Sequence, residues 1–328
     1  MKKNKLTTMI KTGIVTIACL AFITGCSSKE TATEKNNQSA GETKLHVVTT
    51  FYPMYEFTKN IAGDLATVDL LIPSNTEPHE WEPSPKDMAN IQSADLLVYN
   101  SPYFETWVPK VEDSLGKNKK TLFIEASKGI ALMEGTTEDE HEGATDEKEH
   151  GHYHAMDPHV WLSPALAQKE VETITAALVK KDPKNKEVYQ KNSQKYIQQL
   201  KDLDQSYRDS LKEYVGTEII TQHAAFGYLT KEYGLKQVPI AGLSPEEEPS
   251  PARLAELKTF AQDHNLHTIY FEELASQKVA QTLASEIGAK TKVLHTLEGL
   301  SKEDRDKGLN YIEVMKNNLM SLVETLSQ

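Results

Sequence analysis

The sequence predicts an α/β protein of two lobes, each a parallel or mixed sheet with flanking helices, joined by one long rigid helix. Three observations carry that reading. Short apolar runs at residues 45–48, 68–72, 96–99, 121–124, 218–221, 237–240, 268–271 and 292–294 alternate with helical stretches, the pattern of parallel strands covered on both faces. They fall four and four around a central stretch in which Tyr196, Leu200, Leu203, Tyr207 and Leu211 recur every three or four residues, which gives a helix one apolar stripe. The roughly 285 residues that follow the N-terminal segment are more than one small core usually needs.

Taken in order, the chain begins with Lys2, Lys3, Lys5 and Lys11 ahead of an apolar run from 14 to 23. That run is too short for a permanent membrane span and suits the core of a signal peptide, so residues 1–25 are expected to be removed on export. It ends Leu20-Ala21-Phe22-Ile23-Thr24-Gly25-Cys26, small residues before a cysteine, which looks like a bacterial lipobox. Cleavage before Cys26 and its acylation would leave a membrane-anchored protein. The only other cysteine, Cys19, lies in the discarded segment, so no disulfide is expected in the mature chain. Residues 26–43 are polar with almost no large apolar side chain and read as a disordered tether.

The formal charge is −12, and loss of the four leader lysines takes it four units lower. Such a body gains nothing from phosphate backbones, which argues against nucleic-acid binding and is compatible with a cationic ligand. The first lobe is placed at 44–181 and the second at 215–328. Between them Asp182 is a candidate N-cap and Pro183 fits the first helical position. A continuous helix from 183 to 214 would be about 48 Å long, a stiff connector that disfavours large hinge closure.

Two loops stand out within the lobes. Asp157-Pro158-His159-Val160-Trp161-Leu162-Ser163-Pro164 presents a histidine between a proline that fixes φ and a Trp-to-Ser-Pro segment. Glu77-Pro78-His79-Glu80-Trp81-Glu82-Pro83-Ser84-Pro85 repeats the pattern. One loop histidine is usually solvated or bonded to a nearby carbonyl, but two stiff loops of the same design suggest a metal site. In open α/β sheets ligands gather at the carboxyl ends of strands. His79, His223 and Glu298 follow strand candidates and His159 opens a loop before a helix, so the four divide two per half, as an inter-lobe site requires. Asp157 and Glu77, each two residues before a histidine, are placed either to orient a ligand or to start a turn.

At this point the chain resembles the metal-specific solute-binding lipoproteins of ABC importers, most closely the zinc-uptake, adhesin-type members of Gram-positive bacteria. The likeness runs from the lipobox to the C-terminus. It is carried by the two histidine loops, Thr221-Gln222-His223-Ala224-Ala225-Phe226, Phe271-Glu272-Glu273 and Leu297-Glu298-Gly299-Leu300. The resemblance implies a metal held between two lobes by His79, His159, His223 and Glu298, an ABC permease as partner, a lipid-anchored location on the outer face of the cell membrane, and no enzymatic activity. The molecule is expected to act as a monomer. Three imidazoles and one carboxylate suit tetrahedral Zn²⁺, whereas manganese relatives replace one histidine by a carboxylate. Glu272 or Glu273 competes with Glu298 for the fourth position. Since imidazole must be neutral to bind, affinity is expected to fall as pH drops through about 6.5.

Residues 134–154 carry acidic groups and His141, His150, His152 and His154 with few apolar residues, which predicts a mobile loop. Family zinc binders often have such a loop to collect metal weakly, and the alternative is a solvated acidic insertion. His46, His264, His267 and His295 are assigned ordinary capping or surface roles. Some zinc relatives carry a further C-terminal domain, for which this chain, ending at Gln328, is expected to have no room. The rival readings are a manganese-binding member of the same family, a secreted zinc hydrolase, which lacks a His-Glu-x-x-His run here, and a surface adhesin, for which no binding repeat or aromatic patch argues.

Overall fold

The computed structural model describes residues 44–117, 119–135, 156–246, 249–272, 274 and 277–327. The signal segment, Cys26, the tether and most of the His-rich loop, 136–155, lie outside the described residues. No described helix is long and apolar enough to cross a membrane.

Among the described residues the first half forms β1 (Leu45–Thr49), α1 (Tyr52–Ala62), β2 (Ala66–Leu70), α2 (Pro85–Ser93), β3 (Leu96–Tyr99), α3 (Val108–Ser114), β4 (Leu122–Glu125) and α4 (Pro164–Lys181). After α5 (Lys186–Leu211) the second half forms β5 (Glu218–Thr221), α6 (Gly227–Tyr233), β6 (Lys236–Pro239), α7 (Pro251–Asp263), β7 (Thr268–Phe271), α8 (Lys278–Ile287), β8 (Lys290–Val293), α9 (Lys302–Asp306) and α10 (Tyr311–Leu326). The strands make two four-stranded sheets, ordered β2-β1-β3-β4 and β6-β5-β7-β8, and all pairings are parallel. The same order in both halves brings all eight strand ends to equivalent edges, where the connecting loops collect.

The eight apolar runs are therefore the eight strands, three of them with the same ends and the others shifted by one or two residues. β2 begins at Ala66 rather than Val68, because Ala66 and Thr67 pair with Leu45 and His46. Leu71 and Ile72 bond the carbonyls of Thr49 and Thr50 beyond the strand. β8 begins at Lys290, opposite Thr268, although its lysines gave no apolar signal. A strand's limits are set by the neighbour's main chain, which side-chain hydrophobicity reports only indirectly.

The central helix also differs from the expectation. Pro183–Asn185 and Lys212–Tyr214 are 3-10 turns, and the α-helical part is 26 residues, about 39 Å. Asp182 does not cap main-chain N–H groups; its carboxylate accepts from Asn185 Nδ2 and the Tyr189 hydroxyl. The apolar stripe is as expected, since Tyr196, Leu200, Leu203, Tyr207 and Leu211 are all buried. They pack in one core with α1, α4 and α10 that includes Leu294, Leu297, Leu300 and Tyr311 from the second half. Tyr207 donates to the Met315 carbonyl and Tyr311 to that of Trp161, tying distant segments to the same core. A smaller cluster around Ile220, Ile240, Leu257 and Ile269 packs the second sheet against α7 and α8.

Both histidine loops run directly into capped helices, which explains their Ser-Pro endings. Ser84 caps α2, with Asp87 returning the bond to the Ser84 N–H at 2.9 Å, and Pro85 takes the first position. Ser163 caps α4 by accepting from the Leu166 N–H, without a returning bond, and Pro164 follows. Proline costs nothing there, since the first N–H groups of a helix have no partner. The loops are thus fixed at their downstream ends by helix starts.

Candidate metal centre

Each donor is delivered by the loop after a strand. His79 follows β2, His159 follows β4, His223 follows β5 and Glu298 follows β8. Nε2 of His159 lies 3.4 Å from Nε2 of His79 and 3.4 Å from Nε2 of His223. Glu298 Oε1 lies 3.3, 3.6 and 3.5 Å from Nε2 of His79, His159 and His223. These donor atoms lie mutually within 4.8 Å. Ligands at zinc's usual bond lengths of about 2.0–2.2 Å occupy a tetrahedron whose edges are about 3.3–3.5 Å. Five of the six donor separations, 3.3 to 3.6 Å, come close to that figure, so the four side chains fit a small four-coordinate ion. The two half-pairs predicted from the loops do meet.

Carboxylates behind two of the rings fix which nitrogen faces the centre. Asp157 accepts from the main-chain N–H of His159 at 2.9 Å and sits 2.8 Å from its Nδ1. Glu272 accepts from the main-chain N–H of His223 at 3.2 Å and sits 2.5 Å from its Nδ1. A proton on Nδ1 leaves Nε2 as the donor and makes the imidazole more basic. Glu272 is therefore not the rival for the fourth position that its place after β7 suggested: it faces the far side of His223. Glu273 lies outside the described residues. Glu77 accepts from the main-chain N–H of His79, at 3.1 Å from both oxygens, and from that of Glu80, so it starts a turn and does not steer the ring. The His79 ring is instead held edge-on to Phe104, with centroids 4.7 Å apart.

Burial makes these charges strongly interdependent. His159 and His223 are fully buried and Glu298 nearly so, while His79 keeps a partly exposed edge. Burial lowers His79 to about 4 despite the neighbouring Glu298 carboxylate, so its ring is neutral. Burial acts the same way on His223, but Glu272 and Glu298 on either side of the ring overcome it and push the imidazole up to about 10. His159 is likewise raised, Asp157 and Glu298 outweighing its burial. Burial would raise Glu298, yet contacts with His159, His223 and His79 hold its carboxyl well below the usual range. Burial and the Glu298 charge push Glu77 up to about 7, its bonds to main-chain N–H groups opposing. At the centre the Glu298 carboxylate thus faces one neutral ring, His79, and two rings, His159 and His223, whose hold on a proton is strengthened.

The Glu298 loop contains a feature that no sequence signal announced. Leu297, fully buried, adopts the left-handed conformation with φ of 59°, at a cost of about 1–2 kcal/mol for a residue other than glycine. Its N–H donates to Nδ1 of His295 at 2.8 Å, and Asn318 bonds both the N–H and the carbonyl of His295. Trp161, packed against Phe51 and Phe104, donates to the Thr296 carbonyl at 2.8 Å. The tryptophan of one histidine loop thus anchors the loop of the fourth donor. His295 supports the turn, His46 pairs with Asp69, and His264 pairs with Glu218, as the ordinary roles assigned to them require.

Against known proteins, the family profile described as zinc-uptake complex component A, periplasmic, matches residues 47–325. The chain belongs to the ZnuA family. The high-affinity zinc uptake system protein ZnuA of Bacillus subtilis (strain 168) is 63% identical over 312 residues, covering 95% of this chain and 96% of that protein. The zinc-binding lipoprotein AdcA of Streptococcus pneumoniae (strain ATCC BAA-255 / R6) is 49% identical over 94% of this chain, which spans 60% of AdcA's length. The solved Zn(II)-bound ZnuA-like domain of S. pneumoniae AdcA superposes with a TM-score of 0.73 at 48% identity, covering 87% of this chain and all of that domain. The two-sheet fold with its long helix is the ZnuA-like solute-binding fold. The family is one of transport components, and the hydrolase reading falls with that membership.

Proposed function

We propose that this chain is the extracytoplasmic zinc receptor of an ABC importer, anchored to the membrane through Cys26, which takes Zn²⁺ at His79, His159, His223 and Glu298 and passes it, as a monomer, to a membrane permease. The observation that carries the reading is that five of the six donor separations lie between 3.3 and 3.6 Å, close to the edges of a zinc tetrahedron. Three nitrogens and one oxygen favour zinc over manganese, which prefers an oxygen-richer shell. The names of the relatives support the cargo.

Binding, in this reading, is an exchange of protons for a cation. Glu298 supplies the negative charge, His79 is already neutral, and His159 and His223 lose Nε2 protons while Asp157 and Glu272 keep Nδ1 in place. Because the four donors come from loops on both sheets, the ion bridges the halves, and release requires those loops to part. Glu134 and Met156, on either side of the His-rich segment, pair in an antiparallel bridge, and in this reading the segment between them collects metal weakly.

Titration of metal-free protein with zinc tests the central claim. One equivalent should bind, and joint replacement of His79, His159 and His223 by alanine should abolish it. Undiminished stoichiometric binding by that triple variant would end the assignment.

A further inference from the structure

Two glycines of the second half stand where it meets the histidine loops of the first. A Cβ placed on Gly299, the residue after Glu298, would lie 2.3 Å from the main-chain oxygen of Ser74, on the loop that leads to His79, and 3.0 Å from Leu274 Cδ1. A Cβ on Gly227, which opens α6 shortly after His223, would lie 2.8 Å from Oδ2 of Asp157, the carboxylate that holds the His159 ring, and 2.9 Å from Met133 Cε. Neither glycine has the positive φ that excludes other residues, so neither is required by its own backbone conformation. What each position requires is the absence of a side chain between the two halves.

We propose that Gly299 is a spacer that sets how closely the two pairs of donors approach, and so holds the centre to a small four-coordinate ion, while Gly227 leaves room for the Asp157 carboxylate that holds His159. This rests on the zinc-site reading above. The Gly299 contact is the hard one, because its opposing atom is main chain. Reaching an ordinary carbon–oxygen separation of about 3.3 Å would move the Glu298 loop and the His79 loop apart by about 1 Å. Since the four donors are spaced for a single tetrahedron, such a shift takes one of them out of bonding reach and admits water to the shell. Coordination number and oxygen content then rise, which erodes preference for zinc relative to manganese. The Gly227 contact is softer, because a carboxylate and a methionine methyl can turn aside. Its displacement moves Asp157 off His159 and weakens binding without opening the cleft.

Cobalt(II), whose visible spectrum is intense in four-coordinate sites and weak in six-coordinate ones, reports the geometry, alongside zinc and manganese affinities for the wild-type protein, Gly299→Ala and Gly227→Ala. The wild type should give the intense four-coordinate bands. Gly299→Ala should lose most of that intensity, bind zinc 10- to 100-fold more weakly, and lower the zinc-to-manganese affinity ratio at least tenfold. Gly227→Ala should keep the bands and lose about tenfold in zinc affinity, while its metal-free thermal midpoint is unchanged or raised, because alanine is the better helix former. A merely structural role predicts only that last effect. Four-coordinate bands and a zinc-to-manganese ratio within twofold of wild type in both variants would overturn the spacer inference. Should Gly299→Ala fail to fold, Gly227→Ala alone decides, and wild-type zinc affinity in it overturns the proposal. A wild-type protein without four-coordinate bands would instead refute the site itself.

Discussion

Zinc binding should become tighter as pH rises well beyond the ordinary imidazole range. Three unperturbed histidines would titrate near 6.5, and affinity would level off above about pH 7.5. In the metal-free protein, however, His79 is lowered to about 4 and has nothing to release, whereas His223 is raised to about 10 and His159 is raised as well. At pH 7 the ion must therefore displace a proton from His223, and the upward shift of His159 adds to that release. Each displaced proton strengthens binding about tenfold per pH unit, so the dissociation constant should fall by about 10² to 10⁴ between pH 6 and pH 8. For His223 alone, holding a proton some three units below its pKa weakens zinc binding at pH 7 by about 4 kcal/mol. Calorimetric titration in buffers of different ionisation enthalpy counts the protons, and one to two per zinc are expected near pH 7. Binding that releases no proton and is flat from pH 7 to 9 would refute the argument. The linkage also acts on folding. Because the folded pKa of His223 lies above its unfolded value, its pairing with Glu272 stabilises the metal-free protein fully below about pH 6.5, and the contribution disappears as pH rises through about 10.

Other consequences concern particular residues and segments. Glu272→Gln should weaken zinc binding about 10- to 100-fold, as loss of a carboxylate behind a metal-bound imidazole typically does, and should reduce proton release by about one. Affinity and proton count equal to wild type would remove Glu272 from this role. Zinc at a thousand times its dissociation constant should stabilise the fold by about 4 kcal/mol, and chelation should return the melting temperature to its metal-free value. Cys26→Ser should shift the protein from the membrane fraction to the medium, and an unchanged distribution would remove the lipid anchor. Deleting residues 138–154 should lower uptake when zinc is scarce while leaving the tight site intact, so an unaltered uptake curve would end the capture role of the His-rich segment.

Sequence periodicity and turn chemistry determined much of this protein. Eight apolar runs separated by helical stretches are legible because burial on both faces of a parallel strand demands consecutive apolar residues. His79 and His159 were visible through the proline, tryptophan and serine around them, all of which act within a few residues of the ring. Glu298 and His223 had fainter signals, and their pairing with the first two depended on the general placement of ligands at strand ends. The tertiary structure alone decided the rest. It placed Glu272 behind His223 rather than in the fourth position, since that depends on the facing of two adjacent strands. It put the Trp161 indole on the Thr296 carbonyl, 135 residues away. It also brought Gly299 against Ser74, a contact for which sequence contains only the absence of a side chain. Local patterns record what a residue needs from its neighbours along the chain; distances between donors, and the proton affinities that follow from them, exist only when remote loops are held together by a common core.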